Sequence, residues 1–356
     1  MNNTLLSADF APLPNLAEPR WWTGTPALPP KLFTIDGDEF RVNGAPLEPS
    51  KELAERMQKT FNDVGLVHVI NTGLDKLQSM RLIATQVIKT QRDYEGGANP
   101  RKSLEANVYE VGAPLEAWLH YHHEMAYIGS STTMLGFLCH KMPSEGGYTF
   151  VSDSVQATNA ILATPFGQKL KDLGICYHRN LTDRRGFVGV PEVGVYNHWQ
   201  QSMMTEDPDE AIAEARKRGL DAEWGDNGLL KTRYTVSAFE YFPQLDRNLL
   251  YSSMADDSAW FDTWPLVQHL PISDRPLKLT FGDGSEMTYD EKQLFLDVYD
   301  DYGIPIEWEV GDVALICNYR FAHGRPAVHV KEGEERELGV LIGDAFDRLQ
   351  TFDDKW

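Results

Sequence analysis

The chain has 356 residues, and its 53 acidic side chains against 33 basic ones give a formal net charge of -20 at pH 7. That balance argues against nucleic acid and anionic membranes as partners, because both carry negative charge themselves. The start of the chain lacks the pattern of a signal peptide, and no apolar run is long enough to span a bilayer, so we expect a cytoplasmic protein. The length suits one large domain or two smaller ones.

The three cysteines are scattered and form no zinc or redox motif. They are expected to be reduced and mostly buried thiols. Their positions are Cys139, Cys176 and Cys317.

The first 30 residues are rich in proline, which interrupts both helices and strand pairing. We therefore expect an irregular arm over residues 1–30. Beyond it, apolar and polar residues alternate over residues 31–42 on either side of Asp36-Gly37-Asp38, and this hairpin-like pattern predicts a first small sheet element.

A capped helix and a buried strand are predicted next. Ser50 stands before apolar residues at helical spacing, which predicts a helix that ends near Asn62. Residues 66–70 are apolar apart from His68 and predict a short buried strand, with His68 as a hydrogen-bonded core residue. Residues 77–94 again show helical spacing.

Residues 94–119 are rich in glycine and proline and predict a long loop. Because the loop leads into a histidine-rich segment, it is a candidate lid, although an ordinary surface loop explains the composition equally well. The rest of the chain predicts further helices and strands. Helices are predicted over residues 154–173, 207–218 and 289–302, and strands over residues 133–140, 148–153, 313–317 and 336–342. Strands gathered around a few long helices predict a mainly β core with helices packed outside.

The segment that runs from His120 to Glu124 holds three of the ten histidines together with a carboxylate. If it is extended, His122 and Glu124 point to one face, and His123 points to the other. One imidazole and one carboxylate are two thirds of the 2-His-1-carboxylate triad of non-haem Fe(II) enzymes. His323 is the best third ligand, because it follows an apolar strand and its neighbour Gly324 allows close backbone approach. The weaker candidates are His140, His178, His198 and His329.

Several motifs together resemble the TauD/TfdA family of Fe(II)/2-oxoglutarate oxygenases, in particular its branch of clavaminate synthase and SyrP-type amino-acid hydroxylases. The matching segments are Asn99-Pro100-Arg101, Val108-Tyr109, His122 to Tyr127, Gly146 to Thr149, Asp153, Trp199-Gln200, Glu223-Trp224, Gly282 to Ser285, Trp308, Gly311-Asp312 and Ala322 to Arg325. The resemblance implies a double-stranded β-helix core, also called a jelly-roll or cupin-like fold. It implies one oxygenase domain over residues 31–356, with helical insertions at about residues 200–305.

The same resemblance implies Fe(II) bound by His122, Glu124 and His323, with 2-oxoglutarate and O2 as co-substrates. The distal carboxylate of 2-oxoglutarate is expected to meet Arg336 and Thr149, because a guanidinium binds a carboxylate bidentately and a hydroxyl adds a donor. Some relatives carry a second arginine four residues past Arg336, where this chain has Val340.

The activity that the resemblance implies is oxidation of an unactivated C–H bond in an amino acid or amino-acid-derived small molecule. The products are a hydroxylated, desaturated or cyclised compound, with succinate and CO2 from 2-oxoglutarate. Halogenating relatives carry glycine or alanine at the position of Glu124, so this residue favours an oxygenase. The residues proposed to contact substrate are Arg101, Tyr109, Tyr127, Asn180 and Trp199.

Two other functions stay open from the sequence. A jelly-roll protein that binds metal without turnover would have the same fold, and a zinc hydrolase would use two histidines and a carboxylate as well. The sequence leaves the oligomeric state open.

Overall fold

A computed structural model describes residues 24–94, 101–111, 115, 118–185, 197–226, 228–254 and 272–348. The described helices are α1 (Lys51–Val64), α2 (Leu77–Ala84), α3 (Ser154–Leu162), α4 (Pro165–Leu173), α5 (Trp199–Met203), α6 (Pro208–Lys217) and α7 (Tyr289–Asp301). Short 3-10 turns lie at Pro30–Leu32, Gly37–Glu39, Pro243–Leu245 and Ile272–Asp274. Within these described helices none is long and apolar enough to cross a membrane.

The described strands supply most of the framework. They are β1 (Thr34–Asp36), β2 (Leu66–Ile70), β3 (Ser103–Glu105), β4 (Val108–Glu110), β5 (Leu119–His122), β6 (Ser130–Thr132), β7 (Met134–Lys141), β8 (Thr149–Asp153), β9 (Ile175–Leu181), β10 (Asp221–Trp224), β11 (Leu230–Val236), β12 (Phe239–Phe242), β13 (Arg247–Leu250), β14 (Leu277–Phe281), β15 (Gly303–Ile306), β16 (Val313–Cys317), β17 (Phe321–Arg325), β18 (Glu337–Ile342) and β19 (Ala345–Asp347).

Two sheets form the jelly-roll. The major sheet has seven strands in the order β1-β2-β16-β7-β18-β4-β3, and the minor sheet has four in the order β15-β8-β17-β5. One hydrophobic cluster joins Phe137, Ile316 and Val340 of the major sheet to Val151 and Ile304 of the minor sheet. Because these side chains pack together, the two sheets lie face to face, as in a β-sandwich. The predicted fold class is therefore confirmed.

The outer faces of both sheets are also covered. Leu53, Met57 and Phe61 recur at intervals of four along α1 and pack with α2 against the outer side of the major sheet. The outer side of the minor sheet packs on a larger cluster that includes α3, α4, α7 and the third sheet, whose order is β10-β11-β9-β14. The metal-ligand candidates on β5 and β17 are thus held in a sheet that is buried on both faces.

Capping residues explain where several helices begin and end. The Ser50 side chain accepts a hydrogen bond from Leu53 N at the start of α1, as predicted, and Gly65 ends the helix in the left-handed region at φ 81°. Thr288 and Glu291 form a capping box at the start of α7. His68 is buried with its Nε2 3.0 Å from Asp312 Oδ2, which confirms its prediction as a core residue.

One secondary-structure prediction is confirmed in part and two are wrong. The small sheet element expected over residues 31–42 is present as β1, but the hairpin-like pattern forms no hairpin, because β1 pairs in parallel with β2 and Asp36 caps a 3-10 turn. The helix predicted over residues 77–94 ends at Ala84, before the β-branched residues that follow. The helix predicted over residues 154–173 is two helices, because Pro165 cannot donate a backbone hydrogen bond and Thr164 caps the second.

Two other predicted segments contain strands in addition to the structure that was expected. The loop predicted over residues 94–119 includes the short strands β3 and β4, and its residues 95–100, 112–114, 116 and 117 lie outside the described part. Residues 200–305 hold the helices α6 and α7 together with strands β10 to β14, and the helical insertion expected there stays a prediction. The described end of the N-terminal arm, residues 24–29, has no helix or strand, whereas residues 1–23 lie outside the described part. All three cysteines are buried and free of disulfides.

Candidate active site

Three metal-ligand side chains meet where β5 and β17 pair. His122 ends β5 and stands directly opposite His323 of the antiparallel strand β17, with the two ring centroids 4.3 Å apart. Glu124 follows two residues later, and its Oε2 lies 3.8 Å from His323 Nε2. The ligand atoms of all three residues lie within 4.8 Å of one another, close enough to share one ion. The structure thus brings together the three residues proposed to bind iron.

Glu124 lies in a turn and not in an extended strand. The strand stops at His122, and Met125 adopts a left-handed conformation at φ 58°, so Glu124 lies in a turn. Asn318 holds that turn, because its Oδ1 accepts from Glu124 N at 2.9 Å and its Nδ2 donates to Glu124 O at 3.2 Å. Asn318 was not among the predicted site residues. The signal that could have found it is a polar residue directly after the apolar strand β16.

Both histidines present a nitrogen suited to a metal. The Nδ1 of His122 lies 2.7 Å from the backbone oxygen of His120, so Nδ1 donates to that oxygen and Nε2 is the nitrogen left for a metal. Burial and the neighbouring His122 ring hold the pKa of His323 well below its ordinary value, so this ring is neutral. Two imidazoles and one carboxylate fit Fe(II).

The remaining histidines of the segment have other contacts. His123 points away from the triad, as predicted, with Nε2 2.9 Å from Ser154 Oγ and Nδ1 accepting from Ser252 N at 3.1 Å. His120 is stacked on Trp118 with the ring centroids 5.5 Å apart. Burial lowers the pKa of both His120 and His123 to about 3, so both rings are neutral.

Thr149 lies on the same side of the minor sheet as His323. Val151 pairs with His323 across β8 and β17, and side chains two residues apart on a strand share a face. The hydroxyl of Thr149 accepts a hydrogen bond from Trp308 Nε1 at 3.0 Å. Trp308 and His323 both pack against Phe137, with ring centroids 6.4 Å and 5.6 Å away. These contacts join Thr149 to the metal-ligand cluster through two aromatic side chains.

Arg336 is a buried cation that contacts the segment leading into Thr149. Its Nε donates to the backbone oxygen of Gly147 at 3.0 Å, two residues before Thr149. Burial lowers the pKa of Arg336 to about 10, so the guanidinium is still charged at neutral pH. No carboxylate of the described residues pairs with it. Since a buried charge without a counter-ion is costly, this position suits the carboxylate of a bound ligand.

Arg101 and Tyr127, two of the proposed substrate residues, lie next to Glu124. Arg101 Nη2 is 3.0 Å from each carboxylate oxygen of Glu124, and its guanidinium lies over the ring of Tyr94 at 4.1 Å. Burial, with Tyr94 and Glu124 nearby, raises the pKa of Tyr127 well above its ordinary value. The guanidinium of Arg179 lies 5.2 Å from the Tyr127 ring. Tyr94 and Arg179 were not predicted, and their sequence surroundings do not mark them.

The other three proposed substrate residues have structural contacts. Tyr109 donates to Asp93 Oδ1 at 2.9 Å, and its ring lies 6.1 Å from Tyr94. Asn180 Nδ2 donates to the backbone oxygens of Ser273 and Arg275, so its amide holds a neighbouring segment. Trp199 is buried edge-on against Trp224 at 5.5 Å. In the described part of the chain, neither Asn180 nor Trp199 contacts the metal-ligand candidates.

Comparison with known proteins places this chain in a family. The model of the taurine catabolism dioxygenase TauD, TfdA family matches residues 28–341. A clavaminate synthase-like protein of Arabidopsis thaliana is 29% identical over 237 residues, which cover 65% of this chain and 68% of that protein. Among solved structures, a putative alpha-ketoglutarate-dependent taurine dioxygenase from Burkholderia xenovorans has a TM-score of 0.49 and 11% identity, covering 91% of this chain and 90% of that one. AAD-2 in complex with Mn(II) and N-oxalylglycine has a TM-score of 0.49 and 13% identity, covering 89% and 96%.

The family assignment rests on the family model, which matches most of the chain. Enzymes of this family use Fe(II), 2-oxoglutarate and O2, so the predicted cofactors are confirmed. The chain belongs to the TauD/TfdA family and is an Fe(II)/2-oxoglutarate-dependent dioxygenase.

Proposed function

We propose that the enzyme oxidises an unactivated C–H bond of an amino acid or amino-acid-derived small molecule, by hydroxylation, desaturation or oxidative cyclisation. The proposal assigns iron to His122, Glu124 and His323, and 2-oxoglutarate to Arg336 and Thr149. Two observations together carry these assignments. The side chains of the triad lie close enough to share one ion, and the buried guanidinium of Arg336 has no carboxylate partner in the described part of the chain. The similarity to a clavaminate synthase-like protein supports an amino-acid-like substrate.

Each of these residues has a separate task. Bound iron supplies the oxidative chemistry that couples decarboxylation of 2-oxoglutarate to C–H oxidation. The opposed histidines and the turn at Glu124 fix the ligand geometry, so that little reorganisation is needed on binding. Arg336 neutralises the distal carboxylate of 2-oxoglutarate, and the Thr149 hydroxyl is the further donor beside it. Hydrophobic clusters on the two faces of the minor sheet bury the strands that carry the two histidines.

The alternatives account for less of the structure. A zinc hydrolase would use the triad but would leave Arg336 buried without a function, at a cost in stability. A protein that binds metal without turnover has no need of a buried guanidinium without a carboxylate partner. Both alternatives predict that 2-oxoglutarate has no specific effect on the protein.

Succinate release tests the proposal. The purified enzyme is mixed with Fe(II), ascorbate and 2-oxoglutarate and is screened in air against the free amino acids and small amino-acid derivatives. We expect at least one compound to raise succinate formation. Mass spectrometry of that compound should show the addition of one oxygen atom or the loss of two hydrogen atoms. Neither change is expected under nitrogen or in His323→Ala. Stimulation that survives in His323→Ala would refute the assigned site. Succinate release that responds to none of the compounds would refute the amino-acid class of substrate.

A further inference from the structure

Arg101 has hydrogen-bonding capacity that the protein does not use. One nitrogen of its buried guanidinium, Nη2, serves both oxygens of Glu124. The other two, Nε and Nη1, are buried and have no hydrogen-bond partner in the described part of the chain. Those two atoms carry three N–H groups. Because buried donors are nearly always satisfied in native proteins, such a set needs an explanation, and a bound ligand provides one.

The surroundings of Arg101 favour an anion. The Tyr94 ring lies under the guanidinium at 4.1 Å, and Tyr127 lies beside Tyr94 with the Arg179 guanidinium 5.2 Å from its ring. Two guanidinium groups therefore flank this pair of tyrosines. An arginine guanidinium stays charged at any ordinary pH, so this site offers a fixed positive charge to a ligand.

Metal binding makes the need for an anion stronger. Glu124 is the carboxylate that pairs with Arg101 in the described part of the chain, and it is also a proposed iron ligand. A carboxylate whose charge is shared with a metal ion compensates a neighbouring guanidinium less well. The guanidinium then needs a second negative group on its unused nitrogens, at a position directly beside the metal site.

We infer that Nε and Nη1 of Arg101 bind a carboxylate group of the organic substrate. The substrate is then a small carboxylic acid whose acid group lies beside Glu124, and Arg101 determines the specificity for it. This inference rests on the proposed function and adds to it the group by which the substrate is recognised. A planar carboxylate matches the planar N–H donors of a guanidinium, whereas the corresponding carboxamide brings its own donors and no charge.

A purely structural role for Arg101 makes a different prediction. If the guanidinium only compensates Glu124, its replacement alters stability and metal binding but does not change which organic compounds bind. The test therefore reads out ligand binding without turnover. The visible charge-transfer band of the anaerobic Fe(II)·2-oxoglutarate enzyme provides that signal, because a compound that enters the site perturbs it.

The experiment titrates free amino acids and their matching carboxamides into the anaerobic Fe(II)·2-oxoglutarate complexes of wild type, Arg101→Lys and Arg101→Gln. Arg247→Gln is the matched control, since its side chain donates to Asn159 and lies on β13, outside the site. We expect at least one acid to perturb the wild-type band and its carboxamide to have no effect. We expect Arg101→Gln to raise the half-saturating concentration of that acid at least about tenfold, Arg101→Lys to raise it less, and Arg247→Gln to leave it unchanged.

Three results would overturn the inference. They are equal effects of an acid and its carboxamide, an unchanged half-saturating concentration in Arg101→Gln, and a wild-type band that none of the acids perturbs. If Arg101→Gln yields no folded protein, two measurements still test the inference. They are the comparison of acid with carboxamide in wild type and the titration of Arg101→Lys. Absence of the band in the wild type before any acid is added refutes the proposed function instead, so the two failures are distinguishable.

Discussion

His122 and His323 face each other across two antiparallel strands that lie far apart in the sequence, with their ring centroids 4.3 Å apart. This cross-strand pair depends on the register of β5 against β17. Because side chains alternate along a strand, a shift of one residue would turn one ring to the other face of the sheet. The geometry of the metal site is therefore set by backbone pairing in the minor sheet.

Gly324 maintains that pairing. A Cβ at this position would lie 2.4 Å from Leu119 O on β5 and 2.3 Å from the Phe150 ring on β8. We expect Gly324→Ala to push β17 away from both strands, to lower the free energy of unfolding by about 1–3 kcal/mol and to weaken Fe(II) binding. Urea unfolding and metal titration check the two effects. Wild-type values for both would show that the register tolerates a side chain here.

The assigned 2-oxoglutarate site predicts unequal effects for its two residues. Arg336→Gln removes a charged partner of the distal carboxylate and should raise the Kd for 2-oxoglutarate at least about thirtyfold. Thr149→Val removes a neutral hydroxyl, so the expected rise is about three- to tenfold. Titration of 2-oxoglutarate into the anaerobic Fe(II) enzyme measures both values. An unchanged Kd in Arg336→Gln would show that Arg336 does not bind the distal carboxylate of 2-oxoglutarate.

The neutral, buried His120 predicts a loss of stability in acid. Its pKa is about 3 in the folded protein, against the ordinary value of 6.5, so the unfolded chain binds one more proton over this interval. The free energy of unfolding should therefore fall as the pH drops below about 6.5. His120→Phe keeps a ring beside Trp118 but cannot titrate, and between pH 7 and pH 5 it should lose about 2 kcal/mol less than wild type. Equal losses would show that His120 does not stay neutral.

A second buried ion pair joins Arg348 to Glu240. Arg348 also binds the backbone of Ala126, in the turn that follows Glu124. Arg348 Nε donates to Glu240 Oε1 at 2.7 Å, and its other nitrogens donate to backbone oxygens that include Ala126 O. Glu240→Gln leaves the buried guanidinium without its counter-ion, and we expect a loss of about 3–5 kcal/mol in the free energy of unfolding. Denaturant unfolding measures it.

The matched control for that prediction is the surface pair Lys59 and Asp63 on α1. Asp63→Asn should change the free energy of unfolding by less than about 1 kcal/mol, because exposed ion pairs contribute little. Similar losses in Glu240→Gln and Asp63→Asn would mean that burial does not determine the contribution of the Arg348 pair.

Local signals in the sequence were enough for much of the fold. Ser50 and Gly65 mark the ends of α1, and the apolar runs at β2 and β16 correspond to strands of the jelly-roll. The family motifs indicated the triad and Arg336 because metal and carboxylate binding demand particular side chains at fixed spacing. Predictions failed where tertiary pairing overrode the local pattern, as in β1, which pairs with β2 instead of forming a hairpin.

The contacts that hold the site together could not be read from the sequence. Asn318 fixes the turn at Glu124 from 194 residues away, and Arg101 reaches Glu124 from 23 residues before it. Such contacts depend on which loops the sheets bring together. The spacing of residues near each partner therefore gives no sign of the contact. Asn318 also stabilises a turn at Glu124, so the alternation of faces that an extended segment would give does not apply there.

The central claim is that His122, Glu124 and His323 bind the iron that 2-oxoglutarate chelates. Anaerobic addition of Fe(II) and 2-oxoglutarate to the purified protein tests it most directly, with the visible absorption spectrum as the readout. We predict a weak metal-to-ligand charge-transfer band in the wild type and its loss in His122→Ala and in His323→Ala. A wild-type spectrum without the band, or a band that survives in His122→Ala, would contradict the claim.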